Sequence, residues 1–211
     1  MNTEGGGQDE SNGKGDAAPR LIVGIGASAG GLEACKRFLG EMPAESGMAF
    51  VIVMHLDPSR ESHIAEIFRT TTAMEVTQIV DKQTIEANHV YVIAPDSSLE
   101  IRQGVLNSKK QNDPLGKRKP IDALFSSLAE DQKRRAAAIV LSGAGNNGSL
   151  GILDVSEAGG LCIAQDPETA EYDSMPKNAI GTGVIDHILP PEQMPSCLLY
   201  TSSSFRRRRC P

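Results

Sequence analysis

Apolar residues in this chain gather in short runs, and several of the segments between them repeat with helical spacing. Leu21 to Ile25 predicts a strand that runs into Gly-Ala-Ser-Ala-Gly-Gly, and Leu32 to Leu39 predicts a helix. Ala49 to Met54 contains no polar residue, which suits a strand buried on both faces of a parallel sheet. A helix is expected around Glu61 to Arg69. The middle of the chain alternates more. Val76 to Val80, Val90 to Ile93 and Leu99 to Leu106 are short, with turn residues such as Pro95-Asp96 and Gln103-Gly104 among them, and they predict antiparallel hairpin structure. Asn107 to Pro120 is polar and reads as a loop. Ile121 to Gln132 then predicts an amphipathic helix, Ala136 to Leu141 a buried strand and Leu150 to Ala158 a helix. Leu161 to Ala164 predicts another strand, and Val184 to Leu189 a last one near a sheet edge.

Strand–helix alternation of this kind predicts an α/β fold: a doubly wound, mainly parallel sheet with right-handed crossovers and a small antiparallel hairpin insertion. No internal repeat is present. The organisation expected is one domain over 21–199, preceded by a disordered tail over 1–20 and followed by a Ser/Arg-rich tail over 200–211. The leading segment is too rich in Gly, Asp, Glu and Ser to build a core.

Composition narrows the function classes. Hydrophobic residues make up 39% and charged residues 23%, a globular profile. No apolar run approaches the roughly 20 residues that span a bilayer, and the N-terminus has no apolar leader, so a cytoplasmic protein without membrane insertion is expected. The net charge of -6 weighs against nucleic acid as a partner. The four cysteines form no CxxC pair and are expected to be reduced thiols. No ligand spacing predicts a metal, and no cofactor is expected.

Three polar features fall beyond the carboxyl ends of predicted strands, where sites lie in wound sheets. Ser28 follows the first strand, His55 ends the second, and Gly143-Ala144-Gly145-Asn146-Asn147-Gly148 follows the strand Ala136 to Leu141. A serine, a histidine and an amide on one sheet edge suit a nucleophile, a base and an orienting group. Taken alone, a serine in a glycine-rich turn such as that of Ser28 is more often a helix cap or a phosphate ligand than a nucleophile, and Gly24-x-Gly26-x-x-Ala29 satisfies a loose dinucleotide pattern. A nicotinamide site wants an acidic residue ending the second strand. His55 stands there, with Asp57 two residues on. His63, His89 and His187 read as structural.

The segments IVGIGASAGGLEA, VIVMHLDPS, RKPIDALFSSLA, IVLSGAGNNGSLG, IAQDPETAEYDSMPKNAI and VIDHILPPEQMP together resemble the CheB-type protein-glutamate methylesterase domain, most of all the form at the start of CheB–CheR fusion proteins. The resemblance runs from about Leu21 to Pro195. It implies hydrolysis of glutamyl methyl esters on the cytoplasmic helical bundle of methyl-accepting chemotaxis receptors, with glutamine deamidation by some members. It also implies chemosensory kinase or methyltransferase partners. Ser28 matches the family's nucleophile and His55 its general base. Backbone N–H groups near Ala29 and Ala144 are the expected oxyanion donors. Asp173-Ser174-Met175-Pro176 resembles a family loop near the site and is assigned no chemical step. Many members carry a receiver domain that relays phosphorylation, and the residues before Leu21 are too few for one.

One position departs from the family. Its acidic triad residue falls at Asn147, which can orient an imidazole but cannot stabilise imidazolium by charge. A degenerate paralogue, an introduced inactivating change, and a stand-in carboxylate such as Asp154 or Asp166 are open explanations. Deamidation of Asn147-Gly148 would restore a carboxylate. Three functions remain: an ester hydrolase, a receptor-binding module that has lost turnover, and a nucleotide-binding oxidoreductase.

Overall fold

A computed structural model describes residues 18–54, 63–110 and 119–204. Of the tails expected over 1–20 and 200–211, residues 1–17 and 205–211 lie outside the described residues, as does His55.

In chain order the first elements are β1 (Leu21–Ala27), α1 (Gly31–Glu41), β2 (Met48–Met54), α2 (Ile64–Arg69), β3 (Glu75–Gln78), β4 (Gln83–Thr84), β5 (His89–Val92), β6 (Ser97–Arg102) and β7 (Val105–Lys110). Then follow α3 (Pro120–Gln132), β8 (Ala136–Val140), α4 (Gly151–Glu157), β9 (Leu161–Gln165), α5 (Ser174–Gly181), β10 (His187–Leu189) and α6 (Met194–Ser204). Seven of the described strands form one sheet in the order β10-β9-β8-β1-β2-β5-β3. Every neighbouring pair in it is parallel. A separate antiparallel sheet holds β4, β7 and β6.

The wound, mainly parallel architecture agrees with the sequence pattern, but the middle of the chain does not. The segments around Val76 and Val90 are not hairpin strands. They are β3 and β5, which extend the parallel sheet beyond β2. Val90, Tyr91 and Val92 are all buried, so β5 is covered on both faces, and four residues are too few for periodicity to reveal that. The hairpin is β6–β7, turning at Gln103-Gly104, where both residues have positive φ. That turn splits the expected strand Leu99 to Leu106 in two, and β7 continues to Lys110 into the expected loop.

The strands carry the division between the two faces. Val23, Ile25 and Ala27 point with Phe50 and Ile52 into a cluster with Cys35 and Phe38 of α1, Phe68 of α2 and Leu198 of α6. Ile22, Val51 and Val140 face Ile121, Phe125 and Leu128 of α3, Ile152 of α4 and Leu99 of the antiparallel sheet. On that second face β1 presents glycines. A Cβ on Gly26 would collide with Ile121, and one on Gly24 would lie 3.0 Å from Leu128 Cδ2. The Gly-x-Gly pattern therefore admits α3 to the sheet, not a pyrophosphate to a loop.

β1 leads through α1 to β2 on one side, and β8 leads through α4 to β9 on the other. Right-handed crossovers moving in opposite directions place their helices on opposite faces, as the two clusters show. The loops after β1 and β8 thus separate at a topological switch point, where wound sheets open a crevice.

Cys35 and Cys162 are buried free thiols. Cys197 is disulfide-bonded, where reduced thiols were expected. No described helix is long and apolar enough to cross a membrane.

Candidate active site

β1 and β8 are neighbours, and each is followed by a serine-containing segment at the same sheet edge: Ser28 after β1, Ser142 two residues after β8. The two segments are bonded together. The Ser28 N–H donates to the Ser142 carbonyl at 3.0 Å, and the Ser142 hydroxyl donates to the Ala29 carbonyl at 2.9 Å. Ser142 is 1% exposed and also takes its backbone N–H to Gln165 Oε1 at 2.8 Å. Its hydroxyl accepts the Tyr172 N–H at 3.0 Å, and the Tyr172 carbonyl accepts the Gly143 N–H at 2.9 Å. Three loops, after β1, after β8 and before α5, are therefore one hydrogen-bonded unit.

Ser28 is half-buried at the start of that unit. Its carbonyl accepts the Gly31 N–H at 2.8 Å, which turns the chain into α1, and Gly30 at φ 71 takes the left-handed conformation that the turn requires. Gly143 packs directly against the serine. A Cβ there would lie 2.9 Å from Ser28 Cβ and would collide with Met175 Sδ.

Two backbone donors beside Ser28 have no partner among the described residues: the N–H groups of Ala29 and Ala144. In a trans peptide the N–H points opposite to its carbonyl. The Ser28 carbonyl is held by Gly31, and the Gly143 carbonyl by the Met175 N–H at 3.0 Å, so both donors have defined directions. The N-terminal end of α1 adds a favourable field for negative charge.

Asn147 lies in the same loop as Ala144, and its Oδ1 accepts the Asp122 backbone N–H at 3.3 Å. Asp122 is 8% exposed, and its Oδ1 accepts the N–H groups of Leu150 and Gly151 at 2.9 Å, fixing the start of α4. Neither suggested stand-in joins this group. Asp154 bonds Ser126 on α3, and Asp166 accepts the Glu168 N–H.

The structure thus brings Ser28, Ala29 and Ala144 together at one sheet edge and ties Asn147 to α3. Ala27 and Met54 are the last register pair of β1 and β2, and His55 is the next residue in sequence after Met54. The other histidines serve elsewhere. His63 pairs with Glu66 at the exposed start of α2, His89 stacks on Tyr91 beside Glu75, and His187 is on the edge strand β10. No described group of His, Cys, Asp and Glu could hold a metal. Sequence reasoning missed Ser142, Gln165 and Tyr172, and gave the loop that holds Ser174 no chemical step. A signal was present: β8 and β9, like β1, run from apolar residues into a polar one, and Ser142 and Gln165 are buried.

A wound α/β domain with a serine at its switch point is the class that fold and crevice define. The CheB methylesterase family model matches residues 23–198, and the chain belongs to that family. Protein-glutamate methylesterase/protein-glutamine glutaminase 2 of Rhizobium johnstonii is 34% identical over 190 residues, covering 88% of this chain and 52% of the relative. The Pseudomonas aeruginosa protein of the same name is 34% identical over 191 residues, covering 87% of this chain and 54% of its own length. The chain therefore spans about half the length of these relatives. The crystal structure of the Thermotoga maritima CheB methylesterase catalytic domain superposes with a TM-score of 0.78 at 28% identity, covering 85% of this chain and 97% of that one.

Proposed function

We propose that this chain is a methylesterase domain that hydrolyses glutamyl methyl esters on the cytoplasmic helices of chemoreceptors, and deamidates glutamine by the same acyl chemistry. The observation that carries the reading is a pair of N–H groups, Ala29 and Ala144, without a partner among the described residues, beside a serine locked to Ser142. Ser28 Oγ attacks the ester carbonyl and His55 takes its proton. The two N–H groups hold the oxyanion, methanol leaves with the proton returned by His55, and water repeats the sequence on the acyl-enzyme. Family membership supports these roles and a cytoplasmic setting.

Asn147 favours a slow form of this enzyme. Its Oδ1 already accepts the Asp122 N–H, which leaves Nδ2 as its unpartnered group among the described residues and sets a donor toward an imidazole. A donor selects the tautomer that carries its proton toward the serine, which disables the base. A receptor-binding module with little turnover is the second reading, favoured by that same bond. Methanol release from methylated receptor by the parent, Ser28→Ala and Asn147→Asp separates them. Turnover that rises with Asn147→Asp and vanishes with Ser28→Ala supports the hydrolase. Receptor binding without turnover in any variant supports the module.

A further inference from the structure

The loop Asp173-Ser174-Met175-Pro176, which has no chemical step in this mechanism, grips the peptide units on either side of Ala144. Ser174 Oγ donates to the Gly143 carbonyl at 3.1 Å and accepts the Gly145 N–H at 3.1 Å. One hydroxyl therefore holds the peptide before Ala144 and the peptide after it. Asn178 of α5 adds a bond from Nδ2 to the Gly145 carbonyl at 2.8 Å. Gly145 itself is exposed, sits at φ 85 and has open space where a Cβ would be.

We propose that Ser174 is a positioning residue for ester hydrolysis: its hydroxyl sets the direction in which the Ala144 N–H meets the oxyanion. This rests on the hydrolase reading. The Gly143 carbonyl and the Ala144 N–H belong to one planar trans unit, so a bond that fixes the carbonyl fixes the opposed donor. Oxyanion donors act by being aimed before charge develops, and a donor free to swing loses that advantage. The Met175 N–H also holds the Gly143 carbonyl, at 3.0 Å, so loss of the Ser174 hydroxyl loosens the unit without releasing it. Ser174 touches neither Ser28 nor substrate in this account and acts only through Ala144.

The test uses the full chain and an alkyl fluorophosphonate. Its phosphoryl oxygen occupies the oxyanion position as Ser28 Oγ displaces fluoride, and the rate is read as mass gain. Parent, Ser28→Ala, Ser174→Ala and Ser174→Thr are compared, each also in the Asn147→Asp background. Outright loss of an oxyanion donor costs about 10²–10³-fold. Loosened support is expected to slow Ser174→Ala about 10-fold, while Ser174→Thr, which keeps the hydroxyl, retains most of the parent rate. The Tm of Ser174→Ala should fall by less than about 4 °C, because Gly145 can bond water instead. A slowing that Thr does not rescue, or Ser174→Ala labelling as fast as the parent, overturns the proposal and leaves the hydrolase reading standing. Absence of Ser28 labelling in both backgrounds overturns the hydrolase reading, and this proposal with it.

Discussion

Replacing Asn147 by aspartate should raise turnover more than any other single change in the domain. In the parent, the amide oxygen accepts the Asp122 N–H, and Nδ2 has no partner among the described residues. A carboxylate at this position accepts that same N–H with one oxygen and keeps the second for an imidazole N–H, which restores the productive tautomer and adds charge opposite imidazolium. The equivalent Asp-to-Asn change in a serine protease lowers kcat by about 10⁴. At 1.36 kcal/mol per decade that is about 5 kcal/mol of barrier. Asn147→Asp should recover about 10²–10⁴ of this. The gain should fall on kcat with KM little changed, because imidazolium forms only on the way to the transition state. A cost accompanies it. Asp122 is already a buried carboxylate, with Lys119 Nζ 3.9 Å from its Oδ2. A second carboxylate nearby costs on the order of 1 kcal/mol, or about 2–4 °C of Tm. Methanol release from a methylated receptor fragment, measured across pH, is the assay. A kcat within about threefold of the parent would refute the tautomer argument.

Other consequences follow from the same geometry. Gly143→Ala drives a Cβ onto Met175 Sδ and against Ser28 Cβ, so it should cost about 1–3 kcal/mol by chemical denaturation and abolish hydrolysis. Gly26→Ala collides with Ile121 and should cost a similar amount of stability, while its effect on kcat stays small because Gly26 faces α3. Burial pushes the Cys35 thiol from its ordinary 9.0 up to about 12. Its folded pKa is raised, so its contribution is whole below pH 9.0. That contribution is lost at about 1.4 kcal/mol per pH unit as pH climbs toward about 12, and Cys35→Ser should lessen this alkaline loss in urea titrations. The Asn147 amide is tied to Asp122 and Gly148 is buried, so peptide mass spectrometry of aged folded protein should find no deamidation at Asn147.

The central strands were legible because β1, β2 and β8 are buried on both faces, and nothing else keeps such runs free of polar side chains. β3 and β5 were not legible as parallel strands. Four residues with alternating flanks look alike in a hairpin and at the outer end of a wound sheet. In the crevice, Ser28 stood out because a glycine-rich turn follows an apolar run. The loops that hold it did not. Ser142, Tyr172 and Ser174 contribute through partners about 30 or more residues distant, and only the adjacency of β1 and β8 brings those partners together. The strand pattern picked out the loop that holds Asn147 and the family motif the residue within it, but its bond to Asp122 depends on how α3 docks against the glycines of β1.

The nucleophile is the centre of this account, and acid quench during hydrolysis of a glutamyl-methylated receptor peptide tests it. Mass mapping should find the acyl group of the peptide on the fragment that contains Ser28, and no such adduct in Ser28→Ala. Methanol release that continues undiminished in Ser28→Ala would contradict it.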